Sequence, residues 1–241
     1  MSYADFLKKK AETVQPAGRD VARDSLPPLM HEWQKDLVIW ACQVGRAALW
    51  ADTGLGKTIM QCEWARQMGE RSLIIAPLAV CHQTVREAAK IGITARYLTT
   101  DDGQPGVMVT NYERVANFSD VDAVVLDEAS ILKQSDGATR TALIEQFAGT
   151  PYRLACTATP APNDVEELTN QAAFLGVSSR QNMLAAYFIH DSDGWRLKGH
   201  ARQPMFRWMS SWATAVRKPS DLGYPDDGYD LPPLQIIPHL L

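Results

Sequence analysis

Apolar and polar positions follow two different periods along this chain, and the switches between them mark out its elements. From His31 onward, Trp33, Leu37, Val38, Ala41 and Val44 recur at helical spacing and form one apolar face, which predicts a helix. Short apolar runs at 46–50, 72–76, 106–110, 121–126 and 152–156 predict strands. Helical patterns at 57–68, 78–90 and 138–147 separate most of them. Strands alternating with helices pair in parallel and carry helices on both faces of the sheet, so the expected class is α/β. Residues 1–24 read as a polar helix that runs into a linker at Leu26-Pro27-Pro28. Beyond Gly176 the pattern changes. Helical stretches at 180–188 and 201–216 flank a polar loop with Gly194 and Gly199, and Pro, Gly and Asp cluster at 219–233 before a new apolar run at 234–241. The expected division is an N-terminal helical segment (1–24), an α/β lobe (25–178), a helical extension (179–224) and a linker (225–241).

The chain has 241 residues, 46% apolar and 22% charged, which fits one large soluble domain, or one domain plus an extension, with an ordinary core. Its net charge of -4 argues against a protein that merely coats nucleic acid, but leaves room for a motor with one basic face. The four cysteines, at 42, 62, 81 and 156, form no CxxC pair and stand at no zinc-finger spacing from histidine. They are expected to be buried free thiols in a reducing cytoplasm. The N-terminus MSYADFLKKKAETV lacks the apolar run of a signal peptide. The most apolar stretch, 73–81, contains Pro77 and is far shorter than the ~20 residues of a membrane span, so no membrane partner is expected.

Three motifs carry chemistry. In Ala51-Asp52-Thr53-Gly54-Leu55-Gly56-Lys57-Thr58, a predicted strand leads through two glycines into a predicted helix. This reads as a phosphate loop in which Ala51 replaces the usual first glycine, rather than as a chance Gly-Lys turn at the mouth of a helix. Gly54 and Gly56 let the backbone amides of Thr53, Leu55 and their neighbours face phosphate oxygens, and the helix start adds partial positive charge. Lys57 would reach the β- and γ-phosphates, and Thr58 would ligate Mg2+. In Val124-Val125-Leu126-Asp127-Glu128-Ala129-Ser130, an apolar strand ends on two carboxylates, at the sheet edge where parallel sheets bind ligands. Asp127 would hold the metal, and Glu128 would orient and deprotonate water. Alone, such a pair could equally cap the next helix. In Cys156-Thr157-Ala158-Thr159-Pro160, two hydroxyls follow a third strand. Alone, this is a threonine-rich turn.

In this order the motifs resemble those of superfamily-two helicases and translocases, closest to the Swi/Snf-like branch and its compact phage and prophage members. That branch has DEMGLGKT where this chain reads ADTGLGKT, a DExH box where it reads DEAS, and TGTP followed by EEL where it reads TATP, then Glu166-Glu167-Leu168. The similarity spans roughly residues 27–230. It implies a RecA-like P-loop lobe with a mainly parallel sheet and a C-terminal helical extension. It further implies ATP and Mg2+ as cofactors, Lys57, Asp127 and Glu128 as the catalytic set, and a nucleic-acid partner, with DNA favoured.

His31-Glu32-Trp33-Gln34 is similar to the adenine-reading element, which makes Gln34 either a base reader or a surface glutamine on an amphipathic helix. Pro77, and Thr110 with Asn111, match elements on the family's nucleic-acid face, where they would touch phosphates. Both could also be turn chemistry at strand ends. Thr157 and Thr159 would couple hydrolysis to the track. Ser130 departs from the usual histidine and Pro162 from the usual glutamine. Arg196, Lys198, Arg202, Arg207, Arg217 and Lys218 form either a DNA-facing patch or solvated helix surface. The family motor has a second RecA-like lobe, in cis or in trans, and nothing resembling it is present. The resemblance to phage-type members places the protein in a bacterial or phage-infected cell. The competing readings are a nucleotide-dependent nucleic-acid binding module with little turnover of its own, and a small-molecule P-loop kinase.

Overall fold

A computed structural model describes residues 13–134, 137–161, 163–192 and 194–229. Helix α1 (Glu32–Val44) leads into strand β1 (Arg46–Ala51), the phosphate loop and α2 (Lys57–Met68). Then come β2 (Arg71–Ala76), α3 (Leu78–Lys90), β3 (Ala95–Tyr97), β4 (Gly106–Asn111) and β5 (Ala123–Asp127). Two short helices, α4 (Ile131–Gln134) and α5 (Gly137–Gln146), precede β6 (Tyr152–Cys156) and α6 (Leu168–Leu175). The remainder is α7 (Arg180–Tyr187), the hairpin β7 (Phe188–Asp191) and β8 (Gly194–Leu197), α8 (Arg202–Met209) and β9 (Ala213–Val216).

Seven strands form one sheet in the order β3-β4-β2-β5-β6-β1-β9, and every pair in it is parallel. The central strands are buried nearly end to end, which is why they read as continuous apolar runs rather than alternating ones. The RecA-like α/β class expected from the motifs is the one observed. Parallel order also brings the carboxyl ends of β1, β5 and β6 to one edge, so all three motifs open on the same side.

α2 packs against β2 and β5 and buries Met60, Trp64 and Met68 completely. Its Glu63 is also fully buried, but its carboxylate accepts from Arg66 at 2.6 Å and from Gln67 at 2.8 Å. Arg66 supplies the opposite charge through both carboxylate oxygens, so removing it would leave a buried charge uncompensated. All four cysteines are free and buried, and burial pushes the Cys42 and Cys62 thiols up to about 12. They are core residues, as their helix and strand positions imply.

The structure differs from the sequence reading in several places. The expected helix at 201–216 stops at Met209, and Ala213–Val216 instead extends the main sheet beside β1. Trp212 is fully buried between them, its ring edge-on to Trp50 at 6.2 Å. The strand exists because β1 offers it a partner, which is information outside the segment itself. The polar loop after α7 is an antiparallel hairpin, and β3 is a short edge strand. Of the expected N-terminal helix, residues 1–12 lie outside the described residues. Residues 13–22 carry no helix, and a single 3-10 turn follows at Arg23–Ser25. That segment runs against the end of α1, with Gly18 N–H donating to the Gln43 carbonyl at 3.1 Å. A Cβ on Gly18 would lie 1.8 Å from the Cys42 carbonyl oxygen, so no other residue fits there. Residues 230–241 of the expected linker, and Pro162, also lie outside the described residues.

Candidate nucleotide site

The phosphate loop leaves β1 at Ala51, which is still a buried strand residue with ordinary backbone. The position usually held by a first glycine therefore makes no conformational demand that alanine cannot meet. The demand falls on Gly54 (φ 87°) and Gly56 (φ 70°), both left-handed. At Gly56 a Cβ would also meet Gln34 Nε2 at 2.6 Å. The Lys57 ammonium donates to the carbonyls of Ala51 at 2.7 Å and Asp52 at 3.1 Å, so it lies curled within the loop. Thr53 and Gly54 are exposed, Leu55 is buried beneath them, and Thr58 is half-buried in the first turn of α2.

Gln34 is buried against this loop rather than on a surface. Its Oε1 accepts from the His31 backbone N–H at 3.0 Å, and its Nε2 donates to the Leu55 carbonyl at 3.1 Å. The amide thus closes the start of α1 and pins the loop. One Nε2 hydrogen and one Oε1 lone pair remain for a further partner.

Asp127 ends β5, and its Oδ1 accepts from Gln61 Nε2 at 2.8 Å. Burial raises the Asp127 carboxyl above its usual range, and the Gln61 amide opposes that shift. Glu128 follows at φ 63°, an uncommon conformation for a residue with a side chain, costing on the order of 1 kcal/mol. The turn is held because Ala129 N–H donates to the Cys156 carbonyl at 2.7 Å. Glu128 Oε1 accepts from Ser130 Oγ and from Thr157 Oγ1, each at 2.6 Å. Thr157 Oγ1 in turn accepts from the Thr159 backbone N–H at 3.0 Å. Gln171 secures the turn beyond, donating to the Pro160 carbonyl at 3.0 Å and accepting from Trp50 Nε1 at 2.8 Å. The second and third motifs are therefore one hydrogen-bonded unit around the Glu128 carboxylate.

A family model for the SNF2-related domain matches residues 29–188. The chain belongs to the SNF2-related domain family. The Sulfolobus solfataricus SWI2/SNF2 ATPase core, solved in complex with dsDNA, superposes with a TM-score of 0.67 at 19% identity, over 83% of this chain and 47% of that one. The Pyrococcus furiosus Hef helicase domain superposes with a TM-score of 0.51 at 17% identity, over 63% of this chain and 38% of that one. This chain thus spans less than half of either of these two structures, and at these identities the likeness is one of fold. No curated protein sequence matches significantly.

Within this SNF2-related domain, the donor set suits a magnesium ion: the Thr58 hydroxyl, the Asp127 carboxylate and otherwise phosphate or water oxygens. Among the described residues no three His, Cys, Asp or Glu side chains come together to cage a metal, so most ligands would come from the nucleotide, as is usual for Mg2+.

The residues expected on a nucleic-acid face fare less uniformly. Pro77 caps the start of α3, half-buried, beside the exposed Leu78. Ala76 and Asn111 are paired in register, so the ends of β2 and β4 do lie together. Thr110, however, is fully buried, and its hydroxyl donates to the Leu98 carbonyl at 2.8 Å. Asn111 is also buried; it accepts from the Tyr97 hydroxyl at 3.2 Å and donates to Glu113. Their side chains brace the β3–β4 edge instead of facing a phosphate. The basic patch is similarly thinned. Arg196 pairs with Asp191 at 3.2 Å, Lys218 pairs with Asp226 at 3.0 Å, and Lys198 caps the end of α7 through the Ala185 carbonyl at 3.0 Å.

Three residues of the site escaped the motif reading. Gln61 lies one turn along α2 from Lys57 and Thr58, so helical spacing alone could have placed it facing the carboxylates. The Tyr112 hydroxyl donates to the Asp127 carbonyl at 2.5 Å, a contact that no local pattern announces. Ser130 was visible only as a departure from histidine, yet it holds Glu128.

Because Glu128 Oε1 serves as acceptor to two hydroxyls, Glu128→Gln should keep both bonds while removing the base. Nucleotide affinity is expected to be retained and phosphate release to fall ~100-fold or more. Titration of the variant, followed by single-turnover measurement, checks both halves. Lost affinity with unaltered residual chemistry would make Glu128 structural.

Proposed function

We propose that this chain is the ATP-binding lobe of a nucleic-acid-dependent ATPase, hydrolysing ATP to ADP and phosphate to drive movement along DNA. The observation that carries this reading is the direct bond from Thr157 to Glu128, which joins the third motif to the general base beside the phosphate loop. In the reaction, Lys57 would leave its loop carbonyls for the phosphates. Glu128 would take a proton from water as the water oxygen bonds to the γ-phosphorus and the bond to the bridging oxygen breaks. Magnesium, held through Thr58 and Asp127, would supply charge neutralisation on the phosphates. Gln34 would use its remaining donor and acceptor for the adenine edge. Any shift in Glu128 as the γ-phosphate departs would be felt first by Thr157 and Thr159, which supports a coupling role for both.

DNA is favoured as the track because the Sulfolobus relative by fold was solved with dsDNA. With Thr110 and Asn111 turned inward, contacts at the β2 and β4 ends would come from backbone amides, from Pro77 and its neighbours, and from exposed basic residues such as Arg202 and Arg207. Such binding is sequence-tolerant and weakens steeply with salt. The test is titration of labelled duplex with the chain across a salt series, with and without Mg-ATP, alongside phosphate release. Weak, salt-sensitive binding with measurable ATP turnover is expected. Binding with no turnover under any condition would favour the nucleotide-dependent binding module. Absence of DNA binding even at low salt would remove the track.

A further inference from the structure

The C-terminal part of the described chain returns to the nucleotide site from a direction that its sequence does not announce. β9 lies parallel to β1, and the Asp52 backbone N–H, first in the phosphate loop, donates to the Val216 carbonyl at 2.9 Å. The chain then turns. The Asp221 carboxylate accepts from the backbone N–H groups of Arg217 at 2.7 Å and Lys218 at 3.2 Å, and Asp226 accepts from the Ser220 N–H at 2.8 Å. Lys218 Nζ reaches Asp226 at 3.0 Å, which folds the turn back on itself. From there it lands on α1. The Tyr224 hydroxyl donates to Asp36 Oδ2 at 2.5 Å, while Arg23 pairs with the other oxygen of the same carboxylate. The Tyr229 ring stands edge-on to Trp33 at 5.7 Å and to His31 at 5.9 Å.

Both anchors of this segment are therefore also anchors of the phosphate loop. One end is bonded to Asp52. The other packs on the turn of α1 whose Gln34 is bonded to Leu55. A base joined to phosphates in the loop, and placed within reach of Gln34, has to lie beside this segment. On that side His31 is exposed and Tyr229 is half-buried, so among the described residues some aromatic surface remains open next to the base reader.

We propose that residues 217–229 form a strap that walls the base end of the nucleotide site, with Tyr229 as the aromatic face that selects a purine nucleoside triphosphate. The inference rests on the nucleotide reading above and adds a specificity residue to it. A bound purine covers the exposed ring surface and bridges strap to α1, so base occupancy tightens residues 217–229. Phosphates alone cannot do this. An aromatic face contributes to a base by stacking, on the order of tenfold in affinity when removed, and more for a large purine than for a pyrimidine.

The experiment titrates the 241-residue chain with Mg-ATP, Mg-CTP and magnesium tripolyphosphate, for wild type, Tyr229→Ala and Tyr229→Phe, and follows hydrogen exchange of the strap. Tyr229→Ala is expected to weaken ATP about tenfold and CTP less, to leave tripolyphosphate unchanged, and so to erase most purine preference. Tyr229→Phe keeps the ring but loses the hydroxyl bonded to Trp33, so it should retain the purine preference, with any loss of affinity shared equally by ATP and CTP. The amides of Gly223, Tyr224 and Tyr229, bonded to the carbonyls of Ser220, Pro219 and Asp226, should exchange more slowly with ATP but not with tripolyphosphate. Equal losses for ATP and tripolyphosphate would give Tyr229 a merely structural role and overturn the proposal. Unaltered ATP affinity in Tyr229→Ala would overturn it while leaving the nucleotide site standing. A wild-type chain that binds neither ATP nor tripolyphosphate would remove the nucleotide site and the strap with it.

Discussion

Lys57→Ala is expected to lower Mg-ATP affinity at least tenfold and to bring turnover to background. In this structure the half-buried Lys57 side chain donates to two carbonyls, of Ala51 at 2.7 Å and Asp52 at 3.1 Å. Truncation therefore removes no fully buried side chain, and a folded variant is expected. What it removes is the one cation that the loop itself supplies to a ligand of several negative charges. Each hydrogen bond to a charged group contributes ~1.5–3 kcal/mol net, and ~1.4 kcal/mol is tenfold in affinity. Turnover should fall further than affinity, because charge on the transferring phosphoryl group is what the ammonium best matches in the transition state. Calorimetric titration with Mg-ATP and steady-state phosphate release measure the two effects. A variant with wild-type affinity and rate would show that this loop does not hold phosphates.

The parts of the site that were legible in the sequence are those where chemistry restricts residue type. Gly54 and Gly56 must accept positive φ, a lysine must follow, and two carboxylates must end a buried strand. Such demands leave marks at fixed spacing. The sheet core was legible for a related reason: strands buried on both faces read as unbroken apolar runs. What stayed hidden depends on partners distant in sequence. β9 is a strand because β1 lies beside it, and its own four residues fit a helix as well. Thr110 is assigned to a phosphate-facing surface only through the family resemblance, with strand-end turn chemistry as the alternative. Its burial follows from β3, an edge strand of three residues with Arg96 at its centre, too short and polar to stand out. Gln61 lay in plain view on α2, but its role follows only from where β5 delivers Asp127. Ser130 shows the limit of motif comparison, since a departure from the family residue still supplies a hydrogen bond to the same carboxylate.

Supplying a second RecA-like lobe, in cis or in trans, is expected to raise ATP turnover by ~1,000-fold or more, the usual contribution of an arginine finger in phosphoryl transfer. The reasoning is geometric. Lys57 and Thr58 follow β1, Asp127 and Glu128 end β5, and Thr157 follows β6, all at the carboxyl edge of one sheet. These groups approach a γ-phosphoryl group from a single side. The in-line transition state spreads charge over three equatorial oxygens, and a cation opposite the sheet is needed to meet the rest. Arg217 and Lys218 do not meet that need. They follow β9 at the same carboxyl edge of the sheet, so they share its side rather than facing it, and Lys218 is already paired with Asp226. The chain alone should therefore bind ATP, release phosphate very slowly and show no strand translocation. With the second lobe, turnover should rise and should also respond to DNA, because a track held between two lobes can then bias their closure. Steady-state phosphate release by the purified chain, with and without DNA and with and without the added lobe, separates these states. Fast, DNA-stimulated turnover from a confirmed monomer would mean that a residue of this chain completes the site, and the half-motor reading would fall.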